Sequence, residues 1–247
     1  MMIQRAHWLL LLAGCIAWPQ EKPVEIGVFI NDANSVKAYR GWPLILRTDA
    51  VLIEEAGNPV SLGGELPAVA VFSSSGSALE WAWESVTKFE GPVTLDEDFA
   101  SVRAQWVLGR DRTAALDPGV YAVQVSWGGF VSSVLEIEVA DPPAAPGKPE
   151  RVLLARLAGE AELLRGNAQS AVDLLNEALA EFPDEIPLLS LKASAHEAAG
   201  QLNEALATVE DALGQFFRQF PDVDHPPAAL LRTQGALLRK IVESDRP

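Results

Sequence analysis

Few residues in this chain could carry acid–base, nucleophilic or metal chemistry. Histidine occurs only as His7, His196 and His225. His196 falls inside a helical stretch and His225 in a loop before Pro226-Pro227, so they form neither a pair at metal-ligand spacing nor the base and orienter of a triad. Asp222-Val-Asp224-His225 comes nearest to a ligand cluster, and it reads as a loop that ends one helix and caps the next. Asp96-Glu97-Asp98 has the oxygens for calcium but no further ligands spaced around it, which suits a solvated turn. Glu54-Glu55 lacks the apolar surroundings that would separate two carboxyl pKa values, and Gly63-Gly64 and Gly128-Gly129 fit turns rather than phosphate loops. No catalytic residue, metal or cofactor is assigned, and a non-enzymatic role is expected.

Aromatic residues offer a different chemistry, stacking against sugars. Trp81 and Trp83 alternate with Glu80 and Glu84, and Trp106 alternates with Arg103 and Gln105, so these rings point away from the charged face and into a core. Trp42, in Arg40-Gly41-Trp42-Pro43, and Trp127, beside the loop glycines, are less committed and are expected to be exposed aromatic contacts.

The one reactive thiol is at the start of the chain. Arg5 precedes an apolar run from Trp8 to Trp18, with small residues at Ala13, Gly14 and Ala17. That is the shape of a secretory signal, and the run is shorter than the roughly 20 residues of a membrane-spanning helix. Leu12-Ala13-Gly14-Cys15 resembles the bacterial lipobox, which implies a signal peptide over residues 1–14, a lipid on Cys15, and a tether over 15–23. The alternative is secretion after cleavage near Ala17. Either route predicts export, to the periplasm or cell surface when the lipid is present. With Cys15 the sole cysteine, no disulfide supports the fold.

Acidic residues outnumber basic ones 34 to 19, for a net charge of −15. This excludes the basic footprint that nucleic acid or an anionic membrane surface requires. At 247 residues the chain is long enough for two domains. The boundary falls at residues 141–150, where four prolines favour an extended connection.

Before the boundary, residues 24–140 show short β-type runs: Val24–Ile30, Pro43–Ile53, Ala68–Ser73, Glu80–Thr87, Val102–Leu108, Val120–Trp127 and Val131–Val139. Seven strands at this spacing predict an antiparallel β-sandwich. Tyr121, Val123, Val125 and Trp127 share one face, as do Leu135, Ile137 and Val139. A two-residue turn at Gly128-Gly129 would set these faces on opposite sides, so the pairing of Tyr121 with Ile137 requires a longer loop or a bulge. Leu116-Asp-Pro-Gly-Val-Tyr121 resembles the tyrosine corner of immunoglobulin-like sandwiches, in which the phenol bonds back to nearby backbone.

After the boundary the periodicity is helical, and the sequence repeats. A shift of 34 residues superposes Leu157 on Leu191, Ala161 on Ala195, Gly166 on Gly200, Ala171 on Ala205 and Ala178-Leu179 on Ala212-Leu213. In this period and these small residues the segment resembles the tetratricopeptide repeat. The resemblance places Gly159 in the first helix, Gly166 at the turn, Ala171 and Ala178 at the helix crossing, Leu175 at the apolar site and Pro183 at the end. Ala155, Ala158 and Glu162 stand where the family prefers larger residues, and the second copy runs about four residues further, to Phe220-Pro221. Two copies are expected, at 151–184 and 185–221, followed by an amphipathic capping helix at 225–244. Two hairpins leave an apolar edge at each end; the earlier one, with Val152, Leu153 and Leu157, must meet the sandwich or another chain, and the short linker favours a dock on the sandwich.

The resemblance implies an envelope protein that holds another protein, as an extended peptide or a helix, on the face lined by the first helix of each hairpin. That face would carry Arg156, Glu160 and Leu163 from one copy and Ser190, Ser194 and Glu197 from the next. The alternative function is a carbohydrate or cell-wall binding sandwich with the helical repeat as its oligomerisation unit.

Overall fold

The computed structural model describes residues 23–33, 36–53 and 58–244; Cys15 and the apolar leader lie outside them. Among the described residues the first half contains twelve strands and one short helix: β1 (Val24–Ile30), β2 (Val36–Tyr39), β3 (Leu44–Leu52), β4 (Val60–Gly63), β5 (Ala68–Ser73), β6 (Ala78–Leu79), β7 (Glu84–Ser85), β8 (Val93–Leu95), β9 (Ser101–Leu108), α1 (Arg110–Ala114), β10 (Gly119–Trp127), β11 (Phe130–Val131) and β12 (Leu135–Ala140). Five helices follow: α2 (Lys148–Leu164), α3 (Ala168–Glu181), α4 (Ile186–Ala198), α5 (Leu202–Gln219) and α6 (Ala228–Ser244).

One sheet has the order β1-β3-β9-β7, a second β2-β12-β10-β5-β6 with β11 on β10, and β4 pairs with β8 in a two-stranded third. Pairing is antiparallel except where β2 runs parallel to β12. Alternation decides the core: Ile26, Val28 and Leu46 from the first sheet meet Val71, Val123 and Ile137 from the second in one apolar cluster. The continuous strand expected over Glu80–Thr87 is absent. The chain pairs with β5 as β6, leaves that sheet, and pairs with β9 as β7. Residues 80–83 make the crossing, turned by a 2.7 Å bond from the Trp83 N–H to the Trp81 carbonyl. Trp81 still fills the core, 5.1 Å from the Tyr121 ring.

The register at the last hairpin shows how a conflict between turn and face is resolved. Tyr121 pairs with Ile137 and Val123 with Leu135, yet Trp127 pairs with Phe130 across a two-residue turn. Gly128 and Gly129 take φ of 58° and 85°, as a tight hairpin turn requires. The mismatch of one residue is absorbed at 132–134, where Ser132 Oγ accepts the Val125 N–H at 3.0 Å and so replaces a ladder bond. Tyr121 donates to the Asp117 carbonyl at 2.6 Å, the bond expected at this corner. Burial pushes the phenol pKa up, and the Asp117 charge adds to it.

In the helical half, the 34-residue equivalence holds at atomic detail. Gly166 and Gly200 adopt φ of 84° and 75°, and the following N–H bonds back five residues in each copy, Asn167 to Glu162 and Gln201 to His196, both at 2.9 Å. This pattern closes a helix at a left-handed residue, for which glycine carries no steric cost. Side chains repeat the link: Asn167 donates to Glu162 Oε2 at 2.8 Å, and His196 Nδ1 lies 2.6 Å from Gln201 Oε1. Helix α3 has 14 residues and α5 has 18, and each ends at a phenylalanine that precedes a proline.

Candidate functional site

Helix α2 lies against β3. Ile45 and Val107, partners across β3 and β9, alternate with core residues and so face outward, yet both are buried. The charged residues beside them complete the dock. Asn31 and Asp32 take φ of 51° and 65°, a conformation these residues tolerate, and Asn31 Oδ1 accepts the Ile45 N–H at 3.0 Å. This turn presents Asp32 to Arg47 at 2.6 Å and to Arg156 of α2 at 3.5 Å. At the other end of α2, Arg165 donates to Glu84 of β7 at 2.8 Å and to Glu162 at 2.9 Å. Burial pulls the Arg165 pKa down, but the two carboxylates outweigh it and hold the guanidinium above its ordinary value. A cleft of about 520 Å³ opens beside this pair, lined by Glu84, Gly109, Arg110, Asp111, Arg112 and Glu162. Glu160 sits between these ends. Burial pushes its carboxyl above the ordinary value; Arg156 pulls it back, Asp32 pushes it further and Arg47 opposes that push.

The six residues expected to line one binding face therefore divide. Arg156 is spent on Asp32 of the sandwich, and Glu160 lies in the same ionic cluster. Leu163 packs among the apolar residues shared by α2, α3 and α4. Ser190 and Ser194 are half-buried on α4, with the Ser194 hydroxyl donating to the Ser190 carbonyl at 3.3 Å. Glu197 pairs with Lys240 of α6 at 2.6 Å, which ties the capping helix to the groove. The dock joins the two halves as expected, but through Arg156, Glu160 and Arg165. Val152 instead packs within the helical core, and Leu153 stays exposed.

The tryptophans require a correction. Trp42 is 6% exposed and Trp127 is 2% exposed, so neither is a surface contact. The Trp42 ring lies 4.7 Å from Tyr39, and that of Trp127 lies 5.4 Å from Phe89. Tyr39, at the end of β2, covers Trp42 from nearby in the chain, whereas Trp127 is covered by Phe89 from the segment between β7 and β8. Asp96 Oδ1 accepts the N–H groups of Asp98 and Phe99 at 3.0 and 2.8 Å, which makes that acidic run a side-chain-closed turn. Among the described residues no group of three His, Cys, Asp or Glu could hold a metal ion, and no helix is long and apolar enough to cross a membrane.

The tetratricopeptide repeat family matches residues 162–225, from the end of α2 through α5. The chain thus carries a tetratricopeptide-type repeat, a module that binds other proteins. No curated protein matches the chain. Among solved structures, an alkylpurine DNA glycosylase of Pseudomonas fluorescens bound to DNA containing an abasic site analogue is 20% identical over 47% of this chain, with a TM-score of 0.32. A family 123 glycoside hydrolase of Clostridium perfringens is 10% identical over 51% of the chain, with a TM-score of 0.31. The matches span 30% and 28% of those two proteins, and at such scores they bear on neither fold nor chemistry here.

Proposed function

We propose that this is an exported, non-catalytic envelope protein, anchored by a lipid on Cys15, that holds another protein through its short helical repeat. The observation that carries the reading is the pair of equivalent hairpins, whose closing bonds repeat at 34 residues. The dock uses Arg156 and Glu160, so the open part of the first-helix face is the α4 stretch of Ser190, Ser194 and Glu197, bounded by Lys240 of α6. Its small and charged side chains suit an extended segment held by hydrogen bonds. Anchoring is supported by the apolar run that ends in Leu12-Ala13-Gly14-Cys15 and by the lack of any other cysteine.

Two measurements test the two parts of this reading. Cys15→Ala should move the protein out of the membrane fraction or leave its precursor uncut; unchanged membrane association with normal processing would exclude the lipid. A photocrosslinker at Ser194 should capture one discrete partner in intact envelopes, and the same probe at exposed Asn176 should not. Equal yields at both positions would remove the groove from consideration.

A further inference from the structure

The capping helix occupies the place of a first helix in a third hairpin. Leu188 and Ala195 of α4 face back onto α3, and Leu230 and Leu237 of α6, with the same spacing, face back onto α5. The offset between these pairs, 42 residues from Leu188 to Leu230, extends to the opposite face of each helix. In α4 that face carries Leu189, Ala193 and His196, which meet the hairpin's own second helix at Ala212 and Val209 and the residue that precedes it, Gln201. In α6 the equivalent residues are Leu231, Gly235 and Leu238. Among the described residues nothing stands over them. Leu231, Leu238 and Val242 are 47%, 46% and 56% exposed, and a Cβ on Gly235 would meet no atom within 4 Å. In the first hairpin a Cβ on the equivalent Gly159 would meet Leu175 of the second helix at 3.0 Å. A cap that closes a repeat array ordinarily turns a polar face outward; this one repeats the apolar and small residues of a helix awaiting its partner.

We propose that this outer face of α6 receives an acidic amphipathic helix donated by a partner protein, which completes a third hairpin. Two observations select that occupant. The geometry continues the interface already formed twice within the chain, with the small residue at the same position each time. The flank of the face is basic on balance: Arg232 and Arg239, one heptad apart, and Glu243 one turn further on are all exposed. The second helix of the first hairpin shows the complementary pattern, with Asp173, Glu177 and Glu181, no basic residue, and an ion pair from Glu181 to Arg151 of its own first helix. A second copy meeting through α6 would instead set these arginines against their counterparts. The proposal rests on the helical half being a protein-binding module, but it concerns a face separate from the α4 groove.

The test uses the full-length protein and a synthetic peptide of residues 168–184, this chain's own acidic second helix, as the probe. Saturable binding with a gain of peptide helicity is expected. Gly235→Leu should weaken it by about tenfold or more by filling the open position. Because that position is open and glycine is a poor helix former, the same change should leave the melting temperature equal or higher. A peptide carrying Asp173→Asn, Glu177→Gln and Glu181→Gln should bind several-fold more weakly. No saturable binding, or binding indifferent to Gly235→Leu, overturns the proposal. So does a wild-type dimer in light scattering that Leu238→Asp converts to monomer, since a second copy would then own the face. Ser190→Arg separates the two readings: it should abolish capture by the crosslinker at Ser194 while peptide binding to α6 persists.

Discussion

The two hairpins reach one geometry with different residues. In the first, Gly159 leaves room for the buried Leu175; in the second, Ala193 meets the smaller Val209. The polar link between the two helices is a carboxylate with an amide in one copy, Glu162 to Asn167, and an imidazole with an amide in the other, His196 to Gln201. What is held constant is the volume at the crossing and a hydrogen bond at the turn, so residue identity can drift where their sum is preserved. The hairpins also differ in surroundings. The first helix of copy one lies on the sandwich, whereas that of copy two meets α6 at Leu230, Leu237 and Lys240.

The sharpest way to break this comparison is at the crossing. Leu175→Ala should cost about 2–5 kcal/mol through the cavity it leaves. The paired change Gly159→Ala with Leu175→Val installs the packing of copy two in copy one, and should cost less than about 1.5 kcal/mol. Denaturant titration of the four proteins of the cycle checks this. A double variant as unstable as the sum of its parts would show that the two crossings are not equivalent. Ala171→Leu comes next. Ala171 is fully buried where α3 crosses the first helix, and the added atoms should cost about 1–3 kcal/mol. A melting temperature equal to wild type would place the residue on the surface.

The smallest effect concerns the surroundings of copy one. Burial raises the Glu160 carboxyl above its ordinary 4.5, so the folded state binds its proton more tightly than the unfolded chain does. Stability is then highest below the unfolded value and falls as pH rises from 4.5 through the folded value. Glu160→Gln should therefore melt higher than wild type at pH 7, and the difference should disappear below the unfolded value. An unchanged difference across that range would mean that α2 does not bury this carboxyl on the sandwich.

Features set by neighbours in the chain were legible from residue order. Alternation in Tyr121 to Trp127 and Leu135 to Val139 predicted their register, because a one-residue slip would turn an apolar face to water. The tyrosine corner rests on a bond spanning four residues. The helical period and its turn glycines follow from constraints repeated within 34 residues. What the order of residues left undecided depends on partners far away in the chain. The two-residue turn and the bulge at Ser132 satisfy the same register as a longer loop, and only the fit of the hairpin against β5 separates them. The burial of Trp127 depends on Phe89, from between β7 and β8, arriving beside it. Residues 80–83 carry a strand pattern but change sheets, because β5 claims one end and β9 the other. The face proposed for a partner divided for the same reason. Arg156 and Ser194 look alike as solvated helix positions until the turn at Asn31-Asp32, more than a hundred residues earlier, brings a carboxylate to one and leaves the other open.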